Sequence, residues 1–315
     1  GTIDVTKIFS TGYAFAALRA DGSVITWGFG STGGNNTAVA AKLDGTIDVA
    51  EVFSSQEAFA ALRTDGSVVT WGSDTAGGNS TAVTAKLDGT IDVTKIFSTG
   101  YAFAALRADG SVVAWGNDIF GANSTVIASK IDGTIDVTQV FSNYYAFAAL
   151  RTDGSVVTWG NDTFGANSSA IASEIDGTND VTQVCSTHSA FAALRADGSV
   201  VTWGDSDNGG NITAVASKLD GTINVIQLFS TKGAFAALRA DGSVVTWGRS
   251  SYGGDSSALA AELDGTIDAI HVYSCDDSFA VLRADGSVVT WPRNPGDVAS
   301  QLTNVVSMAN PYTSD

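Results

Sequence analysis

The chain has 315 residues, and its 16 Lys and Arg against 33 Asp and Glu leave a formal net charge of −17. That balance excludes the basic face with which a protein displaces counterions from nucleic-acid phosphates, and it disfavours an anionic membrane surface for the same reason. No apolar run is long enough to span a bilayer, and the surplus of Asp, Gly, Ser and Thr suits an exported, extracellular or cell-surface protein.

Seven tryptophans, Trp27, Trp71, Trp115, Trp159, Trp203, Trp247 and Trp291, stand 44 residues apart without a slip. A fixed period of this size marks a repeat architecture. Six units run 1–44, 45–88, 89–132, 133–176, 177–220 and 221–264, and a divergent seventh covers 265–315, all within one domain. The first unit sets the pattern. "VTKIFS" (5–10) is β-branched, bounded by polar residues, and predicts a strand; "AFAALR" (14–19) predicts a second. Asp21-Gly22 supplies a hairpin turn, and "SVITW" (23–27) the third strand. The middle strand lacks clean alternation, which implies burial on both faces. "TAVAAKLDG" (37–45) fits either a short outer helix, the preferred reading, or a fourth edge strand. Three or four short strands per unit, seven times, predict an all-β fold, a seven-bladed β-propeller.

The last unit departs from the rest: Pro292 follows Trp291, the next loop is short, and "NVVSM" (Asn304–Met308) matches the first strand of an eighth unit. Beginning in mid-phrase at Gly1 and ending at "MANPYTSD", the chain is expected to be a segment or mature fragment of a longer product.

The stretch "ALRADGSVVAWGNDIFGANS" (105–124) resembles the RCC1 repeat in its leucine, Asp-Gly, valine, Trp-Gly and later glycine. The resemblance covers the whole chain and implies a seven-bladed propeller. Members of that family include a chromatin-bound exchange factor, an ultraviolet sensor, ubiquitin-ligase modules and a secreted β-lactamase inhibitor. Near-identical repeats of this kind also look like tandem arrays in large bacterial surface or secreted proteins. The family's Gln-Leu-Gly is replaced here by Gly34-Asn35-Asn36 or Ala122-Asn123-Ser124, and the histidine before the middle strand by alanine, as at Ala14. The sensor's Gly-Trp-Arg-His-Thr signature is absent from the sequence.

The units differ from one another mainly in two loops. Between the first two strands they read Gly12-Tyr13, Gln56-Glu57, Gly100-Tyr101, Tyr144-Tyr145, His188-Ser189, Lys232-Gly233 and Asp276-Asp277. After Trp-Gly they read "FGST", "SDTA", "NDIF", "NDTF", "DSDN" and "RSSY". Strand parity sends both loops to the same face. The candidate partner-binding face therefore comprises Tyr13, Phe29, Gln56, Glu57, Tyr101, Phe120, Tyr144, Tyr145, Phe164, His188, Lys232, Tyr252, Asp276 and Asp277. Loop tyrosines offer rigid amphipathic area to a protein or glycan. Unconstrained drift of loop residues accounts for the same variation. On the opposite face Arg19, Asp21, Asp44 and Asp4 recur in nearly every unit and read as turn chemistry.

Catalytic patterns such as G-x-S-x-G and H-E-x-x-H are missing from the sequence, whose histidines are His188 and His271. The chain is therefore read as not an enzyme, with no cofactor. "DSDNGGN" (205–211) hints at a calcium loop; Ala216 stands where an EF-hand needs glutamate, which leaves only a looser calcium site open. Cys185 replaces a core Phe and reads as a small buried substitute; Cys275, two units on, is too distant for a disulfide. Sequons at Asn35, Asn79, Asn123, Asn167 and Asn211 recur in phase, as glycosylation sites or as one duplicated turn. Three functions fit this sequence: a binding or adhesion module of a larger surface protein, a structural spacer contacting neighbouring modules, or a freestanding secreted enzyme inhibitor.

Overall fold

The computed structural model describes residues 3–292. The strand expected at Asn304–Met308 lies outside the described residues. Each 44-residue unit forms one antiparallel three-stranded sheet in sequential order, giving seven blades. In blade 1 the strands are β1 (Val5–Ser10), β2 (Ala14–Arg19) and β3 (Val24–Gly28). Phe9 pairs with Ala16, and Phe15 with Trp27. A register shift between Val5 and Lys7 recurs at the same place in every other blade. Close contacts divide the chain into two compact units: Gly1–Asp153 with Val157–Asp162, and Gly154–Val156 with Thr163–Asp315. The first holds blades 1–3 and most of blade 4, the second blades 5–7.

The Asp-Gly hairpin forms as expected. Gly22 has φ +73°, and the Asp21 carboxylate accepts from the Ser23 hydroxyl at 2.6 Å. The ambiguous segment is a 3-10 helix, Thr37–Lys42, not a fourth strand. It returns Leu43 to the sheet, where the Val24 N–H donates to the Leu43 carbonyl at 2.9 Å. The sequon asparagines make local turns on the approach to these helices. Asn35 Oδ1 accepts from the Thr37 N–H at 2.9 Å, and Asp255 does the same for Ser257 in blade 6. A side-chain turn explains the recurring polar residue without reference to glycans.

Packing between consecutive blades explains the alanine-rich middle strand. Ala14, Ala16 and Leu18 of blade 1 meet Phe59, Ala61, Val69 and Trp71 of blade 2 in one buried cluster. Small side chains on one face of a blade make room for the two large rings of the next. Phe59 and Trp71 stack at 5.2 Å, and the Trp71 indole N–H donates to the Gly33 carbonyl at 3.0 Å. In the first unit Trp115 and Trp159 repeat that bond with Gly77 and Gly121; in the second, Trp203, Trp247 and Trp291 use Gly165, Gly209 and Gly253. Phe59 is 0% exposed and Trp71 4%, whereas Phe15 and Trp27 of blade 1 are each 44% exposed. Burying a ring of this size is worth about 2–3 kcal/mol.

Candidate binding face

In blades 1–6 the two variable loops are tied together locally. The Phe29 N–H donates to the Tyr13 carbonyl at 3.0 Å, and Ser73 to Glu57, Asn117 to Tyr101, Asp205 to Ser189 and Arg249 to Gly233 follow the same rule. A hydroxyl fastens the pair. Thr11 Oγ1 accepts from the Ala14 N–H at 3.0 Å and donates to the Thr32 carbonyl at 3.2 Å. Ser55, Thr99, Thr187 and Thr231 make the equivalent bond to Ala76, Phe120, Asn208 and Tyr252. In blade 4, Asn143 Oδ1 accepts from the Tyr145 and Ala146 N–H groups, both at 2.7 Å. Sequence reasoning missed this clamp, although a polar residue just before the variable pair was its signal. The loop after the third strand is itself a short 3-10 turn, Gly30–Thr32 in blade 1, closed by Gly33 at φ +107°.

A second set of bonds joins the loops of neighbouring blades. In the first unit the Gly12 N–H donates to the Gln56 carbonyl (2.8 Å), Gln56 to Gly100 (2.9 Å) and Gly100 to Tyr144 (2.8 Å). In the second, His188 donates to Lys232 and Lys232 to Asp276, both at 2.9 Å. Every partner is 44 residues further on. The bonds run through backbone groups, so the most variable position of the repeat is held in place whatever its side chain.

The sequence-predicted residues form several groups. Tyr101, Phe120, Tyr144 and Tyr145 make one cluster in the first unit. Ring centroids are 4.8 Å apart for Tyr101–Phe120, 4.9 Å for Tyr144–Tyr145 and 5.5 Å for Phe120–Tyr145. All four are half-buried, because each ring leans on another, while the adjacent Ile119 is 60% exposed. Burial, followed by a hydrogen bond with Tyr101 and by charges that include Glu57, pushes the Tyr144 phenol up to about 12. Tyr13 and Phe29 stand apart on blade 1 and are strongly exposed, at 67% and 65%. Gln56 is exposed and lies over Gly12.

In the second unit Phe164 and Tyr252 are half-buried. Tyr252 packs against Gly233, with the Arg249 guanidinium 5.9 Å from its ring centroid. Lys232 Nζ pairs with Asp276 Oδ2 at 2.5 Å, and Asp277 Oδ1 accepts from the Ser278 hydroxyl at 3.0 Å. Burial first, then the Lys232 charge, holds His188 below the usual imidazole value. Cys185 faces Leu228 and Gln183 rather than serving a nucleophilic pair: its Sγ is 3.5 Å from the Leu228 carbonyl and 3.4 Å from Gln183 Nε2. Burial pushes its thiol up to about 12, far from the thiolate a nucleophile requires.

Asp205, in the stretch that hinted at calcium, uses its carboxylate as a cap. It accepts from the Asp207 N–H at 3.1 Å and from Asn208 Nδ2 at 2.6 Å. On the opposite face the arginine and aspartate pair in the Asp-Gly turns of blades 2–6, as in Arg63–Asp65 at 3.4 Å and Arg239–Asp241 at 3.6 Å. The aspartates of these pairs reach solvent, which screens the attraction to under about 1 kcal/mol.

Stacked three-stranded blades at a constant period define a repeat protein of the β-propeller class. Residues 137–166 match the family model for the Regulator of chromosome condensation (RCC1) repeat. Those residues include the first two strands of blade 4, its third strand and the following turn, and the other blades repeat that plan. The match to the RCC1 repeat is thus to one blade, whose plan the other blades share. No sequence among curated proteins matches it. Among solved structures it is similar to yeast RCC1 (Prp20) bound to Kap60, at 15% identity and TM-score 0.46, over 88% of this chain and 79% of that one. It is similar to the ectodomain of the Physcomitrella patens receptor kinase CR4, at 15% identity and TM-score 0.45, over 90% and 70% of the two chains. The ectodomain of the Arabidopsis thaliana receptor kinase ACR4 gives 16% identity and TM-score 0.44, over 92% and 98%.

Proposed function

We propose that the chain is a non-catalytic binding module, part of a larger surface or secreted protein, that presents its variable loops to a protein or glycan outside the cell. One observation carries the reading. Variation is concentrated at positions whose backbone is pinned from both sides, so side chains differ on a rigid frame. Rigid loops on a constant scaffold are how binding surfaces avoid the entropic cost of ordering. The test compares the wild-type chain with a variant in which Tyr101, Phe120, Tyr144 and Tyr145 are serine. Binding to intact source cells and to a panel of immobilised oligosaccharides is measured for both. The variant is expected to keep its β-sheet circular dichroism and lose binding; equal binding by both would sink the proposal.

The spacer reading also has a specific observation behind it. Phe15, Ile25 and Trp27 of blade 1 are exposed where their counterparts are buried by a preceding blade. A neighbouring module with a free glycine carbonyl would complete that contact. Replacing Trp27 by serine should then abolish association between modules and leave the loop face unaffected.

A further inference from the structure

The loops of the first unit combine aromatic surface with one sign of charge. Residues 10–13, 29–32, 54–57, 73–76, 98–101, 117–120, 142–145 and 161–162 carry Glu57, Asp74, Asp118 and Asp162 and no lysine or arginine. Four rings gather at Tyr101, Phe120, Tyr144 and Tyr145, with Glu57 close enough to act on the Tyr144 phenol. The second unit differs: its corresponding loops hold Lys232 and Arg249, and these engage Asp276 and the Tyr252 ring. There the chain supplies its own cations to a carboxylate and an aromatic face. In the first unit the aromatic face and the acids are present and the loops bring no cation.

We infer that the four-ring cluster is a docking site for basic side chains, lysine or arginine, of a protein partner. The inference rests on the variable-face reading above and names the partner's chemistry. An aromatic quadrupole attracts a cation held over the ring, and the attraction grows as the site is desolvated. Flanking carboxylates add long-range attraction and favour a basic partner over a neutral one. Ile119, exposed beside Phe120, offers apolar area to the methylene stem of a lysine or arginine.

The experiment uses the full chain and three fluorescein-labelled peptides of one sequence, with lysine, trimethyl-lysine or acetyl-lysine at alternate positions. Fluorescence anisotropy is read at low and high salt, and a neutral oligosaccharide panel is run in parallel. The lysine and trimethyl-lysine peptides should bind and the acetylated one should not. Y144S/Y145S should weaken binding about tenfold, equivalent to about 1.4 kcal/mol. E174Q/E262Q, which removes two charges from the outer helices Ser169–Glu174 and Ser257–Glu262, should leave it unchanged. Equal weakening by both variants would mean diffuse attraction to an acidic protein and overturn the inference. Equal binding of the acetylated peptide would overturn it too. Oligosaccharide binding that Y144S/Y145S abolishes, with no peptide binding, would overturn the cation inference and leave the variable-face reading standing. Failure of every probe would count against both. Unchanged melting temperatures establish that the variants are folded.

Discussion

The ring of Tyr144 lies against Gly100 of the preceding blade: a Cβ on Gly100 would stand 2.6 Å from Tyr144 Cζ. The Tyr144 ring therefore occupies the space that a side chain at position 100, 44 residues earlier, would take. Gly100→Ala should displace the Tyr144 ring, loosen its packing on Tyr101 and Phe120, and reduce partner binding. The cost in stability should stay below about 2 kcal/mol, because the loop is at the surface and the ring can swing outward. Near-ultraviolet circular dichroism and thermal melting check both parts.

Trp71 and Trp27 are chemically identical repeats in different surroundings. Trp71→Phe removes an indole N–H from the Gly33 carbonyl and leaves a buried acceptor without its donor. It should cost about 2–4 kcal/mol. Trp27→Phe, at a half-exposed site, should cost under about 1.5 kcal/mol. Denaturant melts of the two single variants give the comparison; equal costs would contradict the packing described.

Tyr144 should titrate late. Its folded value is raised to about 12 from an ordinary 10.0, so the folded state holds the phenol proton more tightly than the unfolded state. The stability this contributes is fully present below the ordinary value and is lost as pH rises toward about 12. Absorbance titration of the phenolates should show a late step that Tyr144→Phe removes. That variant should also flatten the alkaline loss of stability.

The turn aspartates should make the protein acid-sensitive. Asp44, Asp88, Asp132, Asp176, Asp220 and Asp264 are held below the usual carboxylate value, first by the N–H of the threonine two residues on and then by its side chain. Depressed folded values give stability that is present above the unfolded carboxylate value and lost as pH falls through the folded one. Asparagine keeps the acceptor oxygen without a titratable proton. Replacing all six by asparagine should therefore reduce the slope of melting temperature against pH on the acid side.

Much of the fold was legible because its determinants are local. The 44-residue phrase marked the blades, Asp21-Gly22 its hairpin and Val39 with Leu43 the outer helical turn. The side-by-side placement of the two variable loops also followed from strand parity, and the Phe29–Tyr13 bond makes it concrete. Other features were hidden. The Gly12–Gln56–Gly100–Tyr144 chain uses N–H and C=O groups, which leave no trace in side-chain letters. The three-residue turn at Gly30–Thr32 is too short to show periodicity. Loop position puts Phe120 and Phe164 on the candidate face but does not reveal that their rings are half-buried. Sequence gives the residue types of a loop but not which neighbouring loop will lean on them.

The Trp71–Gly33 bond also bears on how such a chain changes over time. Each 44-residue copy arrives with a glycine carbonyl for the copy after it and an indole for the copy before it. Insertion or loss of whole copies by recombination between near-identical repeats therefore leaves every internal junction chemically matched. The same holds for the backbone bonds between loops, which accept any side chain. A lineage can lengthen or shorten the array in whole blades, and it can rewrite the loop letters one at a time while the joints stay the same.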